Sequence, residues 1–377
     1  MPTRETKRGA QRTPLNGEWD VLICGASFAG LAVARELAGS SARTLILDRY
    51  EIGDRQTSAC GIPTDWMVAL GLEDATQQTF FELLIHTPHG DVRWRLPWSF
   101  STFDYRTACA LLRAQSSDDA AFETAMVEGR SGDAVRTDRG ELRAPLIVDA
   151  MGWRRVLGTG RNVQPPQATL SRGLEVHPHS RAEEMELWID RSYVPAGYGW
   201  SFPADREVRV GVGSFDPRYH VRDPTVRLAS DVGVDSVRYQ GNWIPHKIRP
   251  AVEDGVFFVG DSAGHCLPTT AEGIRTALYF GLACGRELRA VVEGGRTRAD
   301  ALRRYAAFSK RHAWKFNWLL GVQRAVPRIP PRLLHRGLRV LARKPVTDFC
   351  FNSYLRIAPP EFVGEPAATS PPAVLAA

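Results

Sequence analysis

Lysine is scarce in this 377-residue chain: only five of its 48 basic residues are lysines, and none lies between Arg8 and His246. The six cysteines, Cys24, Cys60, Cys109, Cys266, Cys284 and Cys350, form no C-x-x-C pair and no Cys/His group at zinc spacing, so a zinc module is excluded. No stretch approaches the ~20 apolar residues that a bilayer span requires. The first 17 residues are polar and Arg-rich, without the apolar core of a secretory leader. No internal repeat is present. With 44% hydrophobic and 24% charged residues, the composition excludes disorder, collagen and solenoid architectures as whole-chain descriptions. The expectation is a reduced, cytoplasmic, soluble protein, with peripheral membrane attachment left open. Acid is missing from one region alone. Residues 301 to 347 hold twelve Lys or Arg and no Asp or Glu, so the rest of the chain is net acidic although the whole carries +6.

What is present starts with an apolar run, Trp19-Asp20-Val21-Leu22-Ile23-Cys24, then a glycine turn, then Leu31, Val33, Ala34, Leu37 and Ala38 at helical spacing. A second apolar run, Thr44 to Asp48, completes a β-α-β unit of about 30 residues. The turn Gly25-Ala26-Ser27-Phe28-Ala29-Gly30 has the spacing of a dinucleotide fingerprint, with Ser27 at the middle glycine position. Gly25 permits the tight turn, Gly30 permits close helix–strand packing, and the amides at the helix start face a pyrophosphate. Asp48, 18 residues after Gly30, ends the second strand where a carboxylate accepts ribose hydroxyls. This motif does not separate NAD from FAD.

The second motif does. Val256-Phe257-Phe258-Val259-Gly260-Asp261 places an acid at a strand end. Pro268 and Glu272-Gly273-Ile274 follow, opening a helix expected from about Glu272 to Glu293. A carboxylate can accept the hydroxyls of a ribityl chain, and a helix start can donate to flavin carbonyls. These residues resemble the FAD-dependent superfamily that includes para-hydroxybenzoate hydroxylase. The resemblance implies that Asp261 holds the ribityl chain and that Pro268, Gly273 and Ile274 line the isoalloxazine ring. Asp149-Ala150-Met151-Gly152 is similar to the middle D-G motif of that superfamily, offset by two residues.

Tyr198-Gly199-Trp200-Ser201-Phe202-Pro203 matches the Y-x-W-x-F-P pattern of the geranylgeranyl reductase family, in which this strand passes over the substrate cavity. In that family a cysteine often lies near the ring, which here falls on Cys60-Gly61. Asp104 to Leu112 resembles the family's R-x-x-F-D-x-x-L helix, with Arg106 near the pyrophosphate and Cys109-Ala110 in place of Phe-Asp. Arg49 and Val127 complete the cofactor contacts that the resemblance implies. It covers residues 19 to 290 and implies an α/β fold: a Rossmann-type FAD-binding domain with an inserted antiparallel-sheet substrate domain and a C-terminal helical segment. The expected segments are a disordered tail at 1–18, FAD-binding residues 19–75, 102–165 and 245–295, and substrate-sheet residues 76–101 and 166–244. A basic helical segment at 296–358 and a disordered tail at 359–377 follow.

Three reaction classes share this scaffold. Halogenases need a W-x-W-x-I-P motif and an active-site lysine, and both are missing. Monooxygenases carry D-G-x-x-S-x-x-R, whereas Asp149 to Arg155 contains no serine. The expected activity is reduction of a carbon–carbon double bond in an isoprenoid-like or lipid-like substrate by hydride from reduced flavin. The alternative is a hydroxylase or epoxidase, or a flavoprotein serving only electron transfer. Cys60, Tyr198 and Trp200 are the catalytic candidates, the first two as proton donors. Tyr198, Trp200 and Phe202 are the substrate-binding candidates. Trp200 and Phe202 also suit a strand core, Cys60 suits an inert buried thiol, and His265 suits either a proton donor or a helix-start residue. Electrons are expected from NADPH, ferredoxin or free reduced flavin. The basic segment reads as two helices packed on the flavin domain, or as a lid whose arginines meet an anionic membrane surface. It contains no nucleic-acid module.

Overall fold

The computed structural model describes residues 12–116, 118–158 and 170–364. Val21–Cys24, Leu146–Asp149 and Val256–Phe258 are short apolar strands, and each is buried along its whole length, as parallel strands covered on both faces must be. They join a six-stranded sheet in the order Val252–Glu253, Val256–Phe258, Leu146–Asp149, Val21–Cys24, Thr44–Asp48 and Ala120–Thr124. All neighbours are parallel except the first pair. The order reverses between Val21–Cys24 and Leu146–Asp149, and the crevice at the carboxyl ends of such a pair is where open α/β sheets bind ligands. The helices Phe28–Leu37 and Ile274–Val292 pack on each other beside this sheet.

A second, eight-stranded sheet runs Gln240–Pro245, Leu170–Val176, Glu207–Ser214, Gly197–Ala204, Glu186–Trp188, Thr76–Thr87, Gly90–Phe103 and Gly61–Pro63. Its neighbours are antiparallel except Glu186–Trp188 with Thr76–Thr87. Side chains alternate between its faces. Val176, Val208, Val210 and Val212 cover one face and bury Leu228 and Ala229 of the helix Arg222–Asp231. The opposite face carries Tyr198, Trp200, Phe202, Glu175 and Arg209. Arg209 donates to the carbonyls of Ala59 and Phe103 at 2.7 and 3.1 Å, so this face meets the flavin-motif part of the molecule.

The chain ends depart from expectation. Gly17–Glu18 is not part of a disordered tail: it pairs with Gly140–Arg143 at the edge of a four-stranded sheet. The cause is Arg139, a buried guanidinium that donates to Thr13 O at 2.9 Å and Thr124 O at 2.7 Å. Pro360–Gly364 is likewise a packed single turn, with Arg286 donating to Phe362 O at 2.7 Å and stacking 4.3 Å over its ring. The remainder of both expected tails, residues 1–11 and 365–377, lies outside the described residues, as does the expected segment boundary at 165/166. The basic segment forms three helices instead of two: Arg298–Ala325, Pro331–Leu341 and Lys344–Leu355. Pro327, Pro330 and Pro331 break the first from the second, and Pro345 sits in the opening turn of the third, where its missing N–H costs nothing. The two shorter helices lie on the Gly90–Phe103 strand, where Trp94 Nε1 donates to Leu338 O at 3.0 Å and its ring meets Phe351 at 5.5 Å.

Candidate functional site

The glycine turn is fixed from two sides. Asp48 accepts the amides of Ala26 at 2.8 Å and Tyr50 at 3.1 Å, which leaves its remaining lone pairs for ligand hydroxyls. Burial pushes its carboxyl up against the pull of those bonds. Gly25 has φ +113°, and a Cβ on Gly30 would stand 1.8 Å from Gly25 O, so no side chain fits either position. Leu31 is the first residue of the helix to bond back, to Ser27 O at 2.9 Å, and the amides before it point out of the helix start. Ser27 Oγ lies 3.1 Å from Tyr105 OH. A Cβ on Gly260 would touch the Ala29 methyl at 3.0 Å, so the first and second flavin motifs meet here. Arg106 is ion-paired with Asp54, on a largely exposed guanidinium, and Arg49 stacks 4.8 Å over Tyr50. Val127 is buried at the start of its strand, within the core.

Asp261 is a half-buried carboxylate to which no described residue donates a hydrogen bond, and burial pushes it up to about 6 while Arg249 pulls the other way. Asp149 contrasts with it. It accepts from Met151 N, Leu157 N and Ser262 Oγ at 3.0, 2.8 and 2.6 Å, so the middle-motif acid serves as an internal pin. The turn after Asp261 is strained, with Thr269 at φ +72° and Ala271 at +53°. Four groups hold it. Gln323 accepts Thr269 N at 2.8 Å, Leu319 O accepts its hydroxyl at 2.8 Å, Thr270 O accepts from Tyr198 OH at 2.6 Å, and Thr270 Oγ1 lies 2.7 Å from Tyr354 OH. Pro268 is buried beside this turn, and Gly273 is the N-cap of Ile274–Val292, its carbonyl accepting Ala277 N at 2.8 Å.

The aromatic strand lies against that turn. Tyr198 reaches it directly, and burial holds its phenol well above the usual range. Trp200 lies flat on a glycine bed: a Cβ on Gly211 would stand 2.3 Å from its ring, and its Nε1 donates to Glu175 Oε2 at 3.2 Å. Phe202 contacts Phe100 at 6.5 Å, and Phe100 covers Gly61, where a Cβ would meet its ring at 2.4 Å. Cys60 adopts φ +52°, is fully enclosed, and its Sγ donates to Ser58 O at 3.3 Å. Burial drives its thiol far up, so it stays protonated. His265 is a core residue: stacked 3.7 Å on Phe280, bonded to Ser309 at 3.0 Å, and pushed well down by burial.

Sequence reasoning missed the charges behind Trp200, namely Glu175, His177, Glu207 and Arg209. A signal was there: Glu207 and Arg209 are charges at period two in a strand whose intervening positions are Val208, Val210 and Val212, and Glu175 and His177 have the same spacing across the end of the Leu170–Val176 strand. Tyr354, which donates to Glu272, carried no signal at all.

A lone half-buried carboxylate at a strand end, two open helix starts and a glycine cradle without room for a Cβ fit a flavin dinucleotide. Fold and site together define a flavin-dependent oxidoreductase. No family model matches the chain. It is 23% identical to digeranylgeranylglycerophospholipid reductase 3 of Methanosphaera stadtmanae, over 90% of this chain and 95% of that one. It is 24% identical to digeranylgeranylglycerophospholipid reductase 2 of Methanopyrus kandleri, over 76% of this chain and 81% of that one. Its fold is similar to that of a geranylgeranyl bacteriochlorophyll reductase-like protein of Thermoplasma acidophilum, with a TM-score of 0.79 at 16% identity, covering 93% of this chain and 98% of that one. The chain is thus similar along most of its length to geranylgeranyl reductases, and it shares their fold.

Proposed function

We propose that this protein uses FAD to reduce a carbon–carbon double bond of a hydrophobic, isoprenoid-like substrate. One observation carries the reading: the Tyr198–Thr270 bond joins the aromatic strand to the turn that follows Asp261, whose carboxylate receives no hydrogen bond among the described residues. The relatives named for reducing digeranylgeranylglycerophospholipids support the substrate class. A second strand-end acid with its own helix start favours FAD over NAD.

Reduced FAD, when bound, supplies the hydride. Asp48 and Asp261 would accept its hydroxyls, and the helix-start amides of Phe28–Leu37 and Ile274–Val292 would serve its anionic and carbonyl groups. Trp200, held flat, offers an apolar ring face on which an alkene can be positioned and from which water is excluded. Cys60 and Tyr198 both keep their protons at neutral pH, so each is a proton store for the second alkene carbon. Electrons come from an external donor, and anaerobic bleaching of the visible flavin band by NADPH, ferredoxin or free reduced flavin identifies which. Among the described residues no helix is long and apolar enough to cross a membrane. The acid-free segment at 301–347 is proposed to rest on an anionic membrane surface.

The test is product analysis after incubating reduced enzyme with polyprenyl substrates, with and without oxygen. A product heavier by two hydrogens per reduced bond, formed without oxygen, is expected. Oxygen incorporation would instead assign a monooxygenase, and no reoxidation of the reduced flavin by any polyprenyl compound would remove the reductase reading.

A further inference from the structure

Behind the aromatic strand lies a line of buried charge that the flavin motifs leave unused. Trp200, Gly211 and Glu175 are register partners across three neighbouring strands. Glu175 Oε2 accepts Trp200 Nε1 at 3.2 Å, and its Oε1 lies 2.8 Å from His177 Nε2. His177 Nδ1 faces Glu207 Oε1 at 3.6 Å. The same Glu207 oxygen accepts Arg209 Nε at 3.0 Å, and Arg238 approaches its other oxygen at 3.3 Å. Arg209 then reaches forward, donating to Ala59 O at 2.7 Å, Phe103 O at 3.1 Å and Gln77 Oε1 at 2.7 Å. Phe103 N in turn donates to Cys60 O at 3.0 Å, so Arg209 grips the Cys60 turn from both sides.

Glu175, His177 and Arg209 are 3%, 0% and 1% exposed. Burying Glu175, His177 and Arg209 beside the half-buried Glu207 is expensive unless each is paired, and removing one member leaves its partner as an unmatched charge. Burial acts to lift the Glu207 carboxyl, yet His177 and Arg209 hold it down at about 2. Burial lowers His177, yet Glu175 and Glu207 raise it overall. Charge therefore couples His177 to both glutamates, and Glu207 to Arg209. The other face of the Glu207–Ser214 strand carries Val208, Val210 and Val212, so an apolar packing was open to this sheet. At one end of the line is the candidate stacking ring. At the other is a cysteine in a left-handed conformation that costs free energy and persists only when its surroundings enforce it.

We propose that Glu175, His177, Glu207 and Arg209 form one positioning chain that fixes the Trp200 ring at one end and the Cys60 turn at the other, setting the separation between stacking surface and thiol. The inference rests on the reductase reading, which gives both ends their work. These four are positioning residues, acting through Trp200 and Cys60.

The chain is tested by alkylating the folded protein with iodoacetamide and quantifying each cysteine by peptide mass spectrometry. Cys350 is exposed and serves as the internal standard, while Cys24 and Cys284, fully buried in the parallel-sheet core, report general loosening. Wild-type Cys60 should label slowly. In Arg209→Gln, and also in Glu175→Gln at the far end of the chain, its labelling should rise by about ten-fold or more, with Cys24 and Cys284 unchanged. Arg209→Lys, which keeps the charge but loses the fork, should fall between, and it carries the comparison should Arg209→Gln fail to fold. In flavin-loaded protein the same variants should slow single-turnover reoxidation by substrate about ten-fold with flavin content intact. Protected Cys60 in folded variants, a response to Arg209 substitution alone, or an equal rise at Cys24 and Cys284 would each overturn the chain. Labelling needs no turnover: changed labelling without alkene reduction keeps the chain and removes the reductase reading, and unchanged labelling beside alkene reduction does the reverse.

Discussion

Asp261 is half-buried and its carboxylate, among the described residues, receives no hydrogen bond, which suits a group that a ligand completes. Charge-assisted bonds to such a carboxylate contribute roughly 1.5–3 kcal/mol. Asp261→Ala should therefore weaken FAD retention by about one to two orders of magnitude, measured by equilibrium dialysis of the purified variant. Full flavin content in that variant would place the carboxylate away from the cofactor. The raised pKa makes a second, independent prediction. Between pH 3.8 and about 6 the folded chain keeps a proton that the unfolded chain has released. The stability of flavin-free protein should accordingly fall as pH rises through that window, while flavin affinity should rise as the carboxylate ionises. Asp261→Asn should flatten this contribution, so the change in urea midpoint between about pH 4 and pH 7 should differ from wild type. Identical changes in the two proteins would assign the titration elsewhere.

At the scale of elements, the Lys344–Leu355 helix is tied to the flavin-motif turn by Tyr354, whose hydroxyl donates to Glu272 and lies 2.7 Å from Thr270 Oγ1. Glu272 also takes Arg275 Nε at 2.6 Å and Nη2 at 2.8 Å, and Arg275 Nη1 returns to Leu355 O at 2.9 Å. Tyr354→Phe removes one hydrogen bond to a charged acceptor, a loss of roughly 1.5–3 kcal/mol, and loosens a turn already strained at Thr269 and Ala271. A lower thermal midpoint and faster flavin release are expected, with far-UV dichroism unchanged; flavin release at the wild-type rate would show that the helix does not hold the turn. Such ties also show where sequence reading stops. The parallel strands were legible because Val21–Cys24 and Val256–Phe258 are continuous apolar runs ended by a glycine turn or an acid, a pattern that few alternatives satisfy. The Tyr198–Phe202 strand was legible through its resemblance to the Y-x-W-x-F-P pattern. The Tyr354–Glu272 contact spans 82 positions with no periodicity to mark it. Arg139 and Arg286 order the chain ends through buried guanidinium bonds to backbone carbonyls, which composition does not encode. His265 read as a possible proton donor because its neighbours in sequence form a flavin motif, yet its ring is claimed by Phe280 and Ser309.

At the scale of the molecule, charge is segregated: twelve Lys or Arg without one acid between residues 301 and 347, on a remainder that is net acidic. The helices that carry this charge also expose Trp314 and Trp318 at 67% and 65%, Leu333 at 54% and Val340 at 47%, with Phe349 at 73% just beyond. Tryptophan beside arginine is the composition that settles at a bilayer interface, where rings enter the headgroup layer and cations meet anionic lipid. Each Lys or Arg near such a surface contributes roughly 1 kcal/mol, so four engaged residues suffice for reversible attachment. The protein should float with vesicles containing phosphatidylglycerol and not with neutral ones. Attachment should fade as salt shortens the Debye length from about 10 Å at 0.1 M to about 3 Å at 1 M. Trp314→Ala with Trp318→Ala should weaken binding even at low salt, because ring insertion is not screened. A hydrophobic substrate dissolved in that membrane would then reach the aromatic strand without crossing water. Absence of flotation at low salt would leave the three helices as packing for the Gly90–Phe103 strand and the Thr269–Ala271 turn, with their arginines solvated.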